Sequence, residues 1–464
     1  MNDSAIVDDI QDTETWKREV GVVGEDKGSE DNEEMPHDCP DFYFMEKPAS
    51  FFVRSDFTKD WIMLNEGGVK RYLKGKNHSA KVEEDGEPLS EIDQIIHHVQ
   101  MTRYVRYAGG LAGHPVGFTH MSNEPILVTK EAKLLDIAPG EFPVLQQLLN
   151  NLFDRNGGDE LQYKHFLGWL QGALSGLYGG RKKFRQALAL VGPPESGKSL
   201  LQKLITVMTG GRAAKPFQFM TGATSFNSDL FAAEHLMIED EFAGGDYKTR
   251  KFLAANIKQV AANEDQYCHM KNLTVWTLRP YWILTLTLNE DQDALGVLPN
   301  LDGSIDDKLM ILRVNKKPTP MPTVTADDQK KFWNTLISEL PHFVHYLLNE
   351  HEIDKEILSD RFTVKHYHHP WVTDQLTPVM PETRLLELLD MVLFSESSDS
   401  WVGSTTELFD SIISRGKRDS LFTVCRGVVP LGKLMKRLEL KQRDRVFSTN
   451  CHNKSKWTIT APNV

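Results

Sequence analysis

The chain has 464 residues, 40% apolar and 25% charged, which is the composition of an ordinary soluble protein of roughly two to four domains. Four cysteines (Cys39, Cys268, Cys425 and Cys451) stand far apart without a C-x-x-C pair, which excludes a disulfide scaffold and a zinc ribbon. No apolar run approaches the roughly 18 to 20 residues of a membrane span, and the acidic N-terminus lacks the core of a signal peptide, so a cytoplasmic protein is expected.

The net charge of −12 hides two opposite ends. Residues 1–38 hold thirteen Asp and Glu against Lys17, Arg18 and Lys27, whereas residues 411–460 hold twelve Lys and Arg against Asp419, Glu439 and Asp444. An acidic tail at one end and an anion-binding module at the other are implied.

In chain order, residues 1–40 carry too little apolar surface to offset the entropy of ordering and are expected to be a disordered acidic tail. Residues 41–140 read as a small α+β domain, with aromatic-rich pieces at Phe42-Tyr43-Phe44 and Phe51-Phe52-Val53, a polar loop near 76–88 and a strand at Ile126-Leu127-Val128. From Glu141 to residue 184 the period turns helical, with Leu145, Leu148, Leu149 and Leu152, then Phe166, Leu167, Leu170 and Leu174. Strand-like and helical pieces alternate over 185–320, the signature of an α/β core with a parallel sheet. Residues 321–385 read as a helical segment (328–349) and a Pro-rich linker at 370–382. Residues 386–464 read as helices followed by a basic hairpin, as in a winged helix. Ser404 to Glu407 form a capping box there, Gly416 closes the helix, and a basic helix spans Leu431 to Leu440.

Gly192-Pro193-Pro194-Glu195-Ser196-Gly197-Lys198-Ser199 fits G-x-x-x-x-G-K-[ST] between an apolar strand, Ala187 to Val191, and a helix. Backbone N–H groups of such a loop close around phosphate, Lys198 reaches the β- and γ-phosphates, and the Ser199 hydroxyl ligates Mg²⁺. ATP with Mg²⁺ is the expected cofactor, contacted by Gly192 through Leu200. Further on, Leu236-Met237-Ile238 runs into Glu239-Asp240-Glu241, the pattern of an apolar strand that delivers carboxylates to Mg²⁺ and to the attacking water. Asp240 is the expected metal ligand, and Glu241 or Glu239 the base. A strand from Tyr281 to Leu288 then ends at Asn289, whose amide can orient that water.

These three motifs lie within about a hundred residues, and the arrangement resembles a superfamily 3 helicase of the AAA+ ATPases, a group found in small DNA viruses, phages and plasmids. Within that group it is most similar to the helicase part of phage and poxvirus-type primase-helicases, over residues 141–320 and more loosely over 386–464. The resemblance implies a ring, a homo-hexamer, acting on single-stranded or forked DNA in replication. It also implies a DNA-contacting hairpin between the second and third motifs, matched here by Ile257-Lys258 through Cys268-His269-Met270-Lys271-Asn272, with Lys271 at the basic tip and His269 beside it. A finger residue that completes a neighbour's site corresponds to Lys308 or Arg313. A separate primase partner is expected, because the 140 residues before the core are too few for a primase domain.

In the basic module, Lys433, Lys436 and Arg437 share one helix face, and Arg443 and Arg445 follow, an arrangement suited to phosphate backbones. Two rivals to the helicase remain: a non-processive origin-binding or loading ATPase, and a nucleotide-gated DNA-binding module. His366, His368 and His369 form a histidine cluster, but their spacing is wrong for a helical zinc pair and no Cys or acid completes a set, so no metal is expected there.

Overall fold

Five consecutive apolar residues, Ala187 to Val191, are all buried, and the largest sheet is built around them. The computed structural model describes the chain except residues 1–40, 83–88, 181–183, 240–246, 272–274, 300, 302, 377–379, 395–398, 452–453 and 463–464. The expected acidic tail, Asp240, Glu241 and Asn272 therefore lie outside the described residues. The chain divides into two units, the first comprising the described residues up to Lys133 together with Phe226–Glu234 and Asp265–Tyr281.

In the first unit, β1 (Phe42–Met45), β2 (Ser50–Arg54) and β3 (Trp61–Leu64) form an antiparallel sheet in that order. Helices α1 (Glu66–Gly75) and α2 (Glu91–Thr102) are capped by the side chains of Asn65 and Ser90. They bury Val69, Leu73, Ile92, Ile95 and Val99 against Phe42, Phe51 and Val53. Strands β4 (Tyr107–Gly109), β5 (Gly117–Met121) and β6 (Glu124–Val128) make a second sheet, ordered β4-β6-β5. A short hairpin, Gln266–Cys268 against Trp276–Leu278, also belongs to this unit. Reading along the chain puts that hairpin inside the α/β core. The fold instead ties its neighbourhood to the first unit through hydrogen bonds such as Tyr281 N–H to the Ala112 carbonyl and Ala112 N–H to the Phe231 carbonyl.

The second unit begins with α3 (Pro143–Leu152) and α4 (Glu160–Tyr178), followed by β7 (Ala187–Val191), α5 (Lys198–Met208), β8 (Ala213–Ala214) and β9 (His235–Glu239). Then come α6 (Tyr247–Ala262), β10 (Ile283–Leu288), β11 (Leu309–Arg313), α7 (Ala326–Asn349) and α8 (Pro370–Leu376). The five strands pair in parallel in the order β11-β7-β10-β9-β8, so the expected α/β class is met. Every residue of β7 and β10 is buried, as strands covered on both faces require. Each fully buried Leu or Ile of these runs contributes about 1.5–3 kcal/mol. Where the proline-rich stretch suggests a linker, Pro370 opens α8, which buries Val372 and Leu376. Proline at a helix start gives up an N–H that has no intrahelical partner anyway.

After α8 come α9 (Pro381–Leu393), β12 (Ser400–Gly403), α10 (Thr405–Ser414), α11 (Arg418–Val424), α12 (Val428–Lys441), β13 (Val446–Cys451) and β14 (Lys454–Thr460). The strands form an antiparallel sheet in the order β12-β14-β13, and they share a core with the helices around Leu389, Leu408, Leu431, Met435 and Trp457. Ser404 and Glu407 make the reciprocal capping box, and Gly416 at φ +74 turns the chain out of α10. Among the described residues no helix is long and apolar enough to cross a membrane.

A buried polar chain crosses the second unit's sheet. Gln202 Nε2 donates to Thr285 Oγ1 at 2.8 Å, Thr285 Oγ1 lies 2.8 Å from His235 Nε2, and His235 Nδ1 lies 2.7 Å from Thr206 Oγ1. Thr206 donates onward to the Gln202 carbonyl, so its oxygen accepts from Nδ1–H and the imidazole is neutral. Burial pushes His235 down to about 3. As pH falls below the unfolded value near 6.5, the unfolded chain gains a proton that the folded chain refuses. The stabilisation is therefore complete above that value and is lost on the way toward pH 3, roughly 2 kcal/mol of it by about pH 5. We expect His235→Gln to unfold at lower temperature than the parent at pH 7.5. Thermal melts across pH should show the difference narrowing as pH falls to about 5.

Candidate functional site

Because its strands are parallel, the large sheet presents all its C-terminal ends along one edge. Chain order reverses around β7, since the path from β7 leads to the β8 side and the path from β10 crosses to β11. A crevice at such a switch point, outside the strand ends, is where open α/β sheets bind ligands.

The loop after β7 fills this position. The N–H of Gly192 donates to the Leu288 carbonyl at 3.2 Å. A Cβ on Gly192 would lie 2.2 Å from the Val314 carbonyl oxygen, so only glycine lets the two backbones approach this closely. Glu195 at φ +58 and Gly197 at φ +94 turn the loop into the start of α5. Ser196 Oγ is buried and has no hydrogen-bond partner. Lys198, 7% exposed, donates to the carbonyls of Gly192 at 2.6 Å and Pro193 at 2.8 Å and to Asn289 Oδ1 at 3.3 Å. The structure thus brings Lys198 and Asn289 together from the ends of different strands. Pro194, Glu195 and Ser199 are exposed and Leu200 is half-buried, and Glu195 pairs with Lys316 at 2.9 Å. Glu195 is held below the usual carboxylate range by that ammonium.

Glu239 ends β9, one strand from β7 across β10, and its carboxylate meets Lys215 Nζ at 2.8 Å. Arg313 ends β11, opposite Val191. Its guanidinium stacks on Trp371 at 3.9 Å and lies 3.9 Å from Glu290 Oε2, while its backbone N–H donates to Gln162 Oε1 at 2.6 Å. A reading of the sequence passes over Lys215, Glu290, Trp371 and Gln162. Only Glu290, next to Asn289, could have been suspected from its position. The N-terminus of α5 and the buried Lys198 ammonium therefore lie together at this edge, and both favour negative charge.

Lys308 sits before the first residue of β11, so a strand of about 17 Å separates it from the edge that carries Arg313. There it pairs with Asp307 Oδ1 at 2.6 Å, and Arg361 meets the other oxygen of Asp307 at 3.2 Å.

In the first unit, His269 and Lys271 lie in the turn of the short hairpin, and Lys271 is exposed. Its base is fixed by Asn227, whose N–H donates to the His269 carbonyl and whose Oδ1 accepts the His269 N–H at 2.8 Å.

On α12, Lys433, Lys436 and Arg437 are exposed on one face, and Arg443 is exposed beyond its end. Arg437 also lies 3.6 Å from the buried carboxylate of Glu382. Arg445 differs from the rest of this basic set, because its guanidinium clamps Asp390 at 2.6 and 3.3 Å and donates to the Thr460 carbonyl. It joins α9 to the terminal hairpin instead of facing outward with the others.

Two substitutions separate these roles. Gly192→Ala should lower the melting temperature, at a cost of about 1–3 kcal/mol, because its Cβ meets backbone that cannot swing aside. Arg445→Ala should cost about 1.5–3 kcal/mol in a denaturant titration, whereas Lys436→Ala should leave the midpoint unchanged.

No protein-family model matches the chain, and no curated protein matches it. Among solved structures, the A-form apo structure of the NrS-1 C-terminal region superposes with a TM-score of 0.50 at 12% identity, covering 91% of this chain and 96% of that one. An apo structure of the same region, residues 305–718, gives a TM-score of 0.49 at 13% identity with the same coverage. The SCCmec type IV Cch structure, described as an active helicase, gives 0.31 at 8% identity over 85% of this chain and 71% of that one. The chain therefore shares its fold with the NrS-1 C-terminal region.

Proposed function

We propose that the chain is an ATPase that couples nucleotide hydrolysis to movement along DNA, a helicase of the superfamily 3 type within the AAA+ group, working as a homo-hexameric ring. The observation that carries this reading is the seat of Lys198. Its ammonium is buried at the head of α5, under the loop from Gly192, and within 3.3 Å of Asn289.

The residues present fit a nucleotide with Mg²⁺. The close approach at Gly192, the buried Ser196 hydroxyl and the Lys198 ammonium suit phosphate oxygens, and the oxygen donors of Ser199 and Asp240 are of the kind that holds a hard cation. The bound cation would supply charge neutralisation on the β- and γ-phosphates. The loop N–H groups and Lys198 would hold those phosphates, and the Asn289 amide would orient the attacking water. Asp240 would ligate the cation, and Glu241, or Glu239 on leaving Lys215, would accept the water's proton. Arg313, on the same edge as Lys198, would act on its own chain's phosphates. Lys308, at the opposite edge, would be the residue offered to a neighbouring subunit.

The DNA contacts in this reading are His269 and Lys271 at the hairpin turn and Lys433, Lys436, Arg437 and Arg443 on a winged-helix module. The test is ATP hydrolysis with and without single-stranded DNA. The parent should be stimulated by DNA, Lys198→Ala should lose turnover by at least about a hundredfold, and Lys271→Ala should keep basal turnover without the stimulation. Turnover indifferent to DNA would overturn the translocating ring. Turnover that survives in Lys198→Ala would overturn the ATP site.

A further inference from the structure

We propose that Asp306, His366 and His368 form a binding site for a divalent transition-metal ion, zinc in the first instance, separate from the nucleotide edge. The sequence leaves this histidine cluster without a third ligand, but folding supplies one from sixty residues upstream. The donor atoms of the three side chains all lie within 4.8 Å of one another. His366 Nε2 is 3.2 Å from Asp306 Oδ2, and His368 Nδ1 is 3.5 Å from Asp306 Oδ1.

Backbone pairing builds this arrangement. The segment 366–369 runs parallel to β11 as an added edge, with Ile311 N–H donating to the Tyr367 carbonyl and His369 N–H to the Ile311 carbonyl. Extended backbone sends alternate side chains to opposite faces. His366 and His368 therefore turn together toward Asp306, which lies just before β11. On the other face, Tyr367 stacks on His165 and His369 bonds Asp159.

The second nitrogen of His368 fixes the ring as a metal ligand's ring is fixed. His368 Nε2 lies 2.9 Å from the Leu309 carbonyl, which can only accept, so Nε2 carries a proton. In the neutral ring Nδ1 then holds a lone pair, and it faces a carboxylate oxygen that also holds only lone pairs. A cation between them relieves that opposition. A ring fixed by donating its other N–H to a backbone carbonyl is also the usual setting of a metal-bound histidine. Two imidazole nitrogens and one carboxylate favour zinc, cobalt, nickel or iron over magnesium or calcium, which take oxygen ligands. Zinc–ligand bonds of about 2.0–2.1 Å require only a small closure of the three side chains, and three protein ligands leave one position for water. The ion would staple residues 366–368 to the start of β11, just ahead of Trp371, on which Arg313 is stacked.

The experiment uses the full chain, stripped with a chelator, and adds Zn²⁺ or Co²⁺ alone, without nucleotide or DNA. One equivalent should bind saturably and raise the melting temperature, and Co²⁺ should show the strong visible bands of a low-coordinate ion. His366→Ala and Asp306→Asn should each weaken binding by at least about a hundredfold, the upper end of what even an outer-sphere partner costs. His369→Gln, on the opposite face, should retain it. His366 is partly exposed, so its variant should melt like the parent when metal is absent. Absence of saturable binding would overturn the proposal, and so would binding unchanged in both His366→Ala and Asp306→Asn. If Asp306→Asn melts lower in chelator while the parent ignores Zn²⁺, the contact is an imidazolium–carboxylate pair, which also overturns it. Because the readouts are metal binding and melting, their failure is distinguishable from failure of the ATPase reading.

Discussion

The buried ammonium of Lys198 is the constraint around which the sheet edge is arranged. A charge with 7% exposure is tolerated only where donors and acceptors are matched. Among the described residues its partners include two loop carbonyls and a side-chain oxygen from the residue after β10. Each of these needs something further. The Gly192 carbonyl points correctly only because glycine lets the loop lie against Val314, and Asn289 is in reach only because β10 pairs with β7 in the observed register. A one-residue slip would turn the strand's side chains to the opposite face.

That register has its own lock below the edge. Thr285 pairs opposite Leu188 on one neighbouring strand and Met237 on the other, and its hydroxyl joins Gln202 of α5 to His235 of β9. Three elements are thus joined by one chain of hydrogen bonds. An apolar replacement could fill the same space, but it would not distinguish one register from another. Buried polar groups earn their cost through that kind of specificity.

Much of this was legible in the sequence, for local reasons. The strand from Ala187 to Val191 is a continuous apolar run bounded by turn-forming residues, and Ser404 with Glu407 is a pattern that acts within four residues. Placing Lys198 and Asn289 near strand ends needed only those runs. What could not be read depends on distant partners. Prolines at 370 and 381 look like a linker until their helices are seen to bury Val372 and Leu385. The hairpin at 266–278 falls in the middle of the α/β stretch, yet its unit is largely the N-terminal one. The Trp371 ring beneath Arg313, the Lys215 ammonium on Glu239 and the Asp306 carboxylate beside two histidines each join residues from about 24 to about 62 positions apart. No periodicity reports such contacts.

The two ends of β11 show how one strand can serve two edges. Its far end carries Arg313, sandwiched between Trp371 and Glu290, where a planar, permanently charged fork keeps both its stack and its reach. Lysine could not replace it, since a single ammonium offers no face to the indole. Its near end carries Asp306, Asp307 and Lys308 in one short turn, with Arg361 and two histidines drawn around them. There the Lys308 ammonium meets one oxygen of Asp307 at 2.6 Å, a contact that needs no two-pronged donor. The segment 366–371 touches both ends, pairing along β11 and then placing Trp371 under Arg313. One extended segment thus contributes backbone pairing along β11 and the aromatic face on which its last residue is stacked.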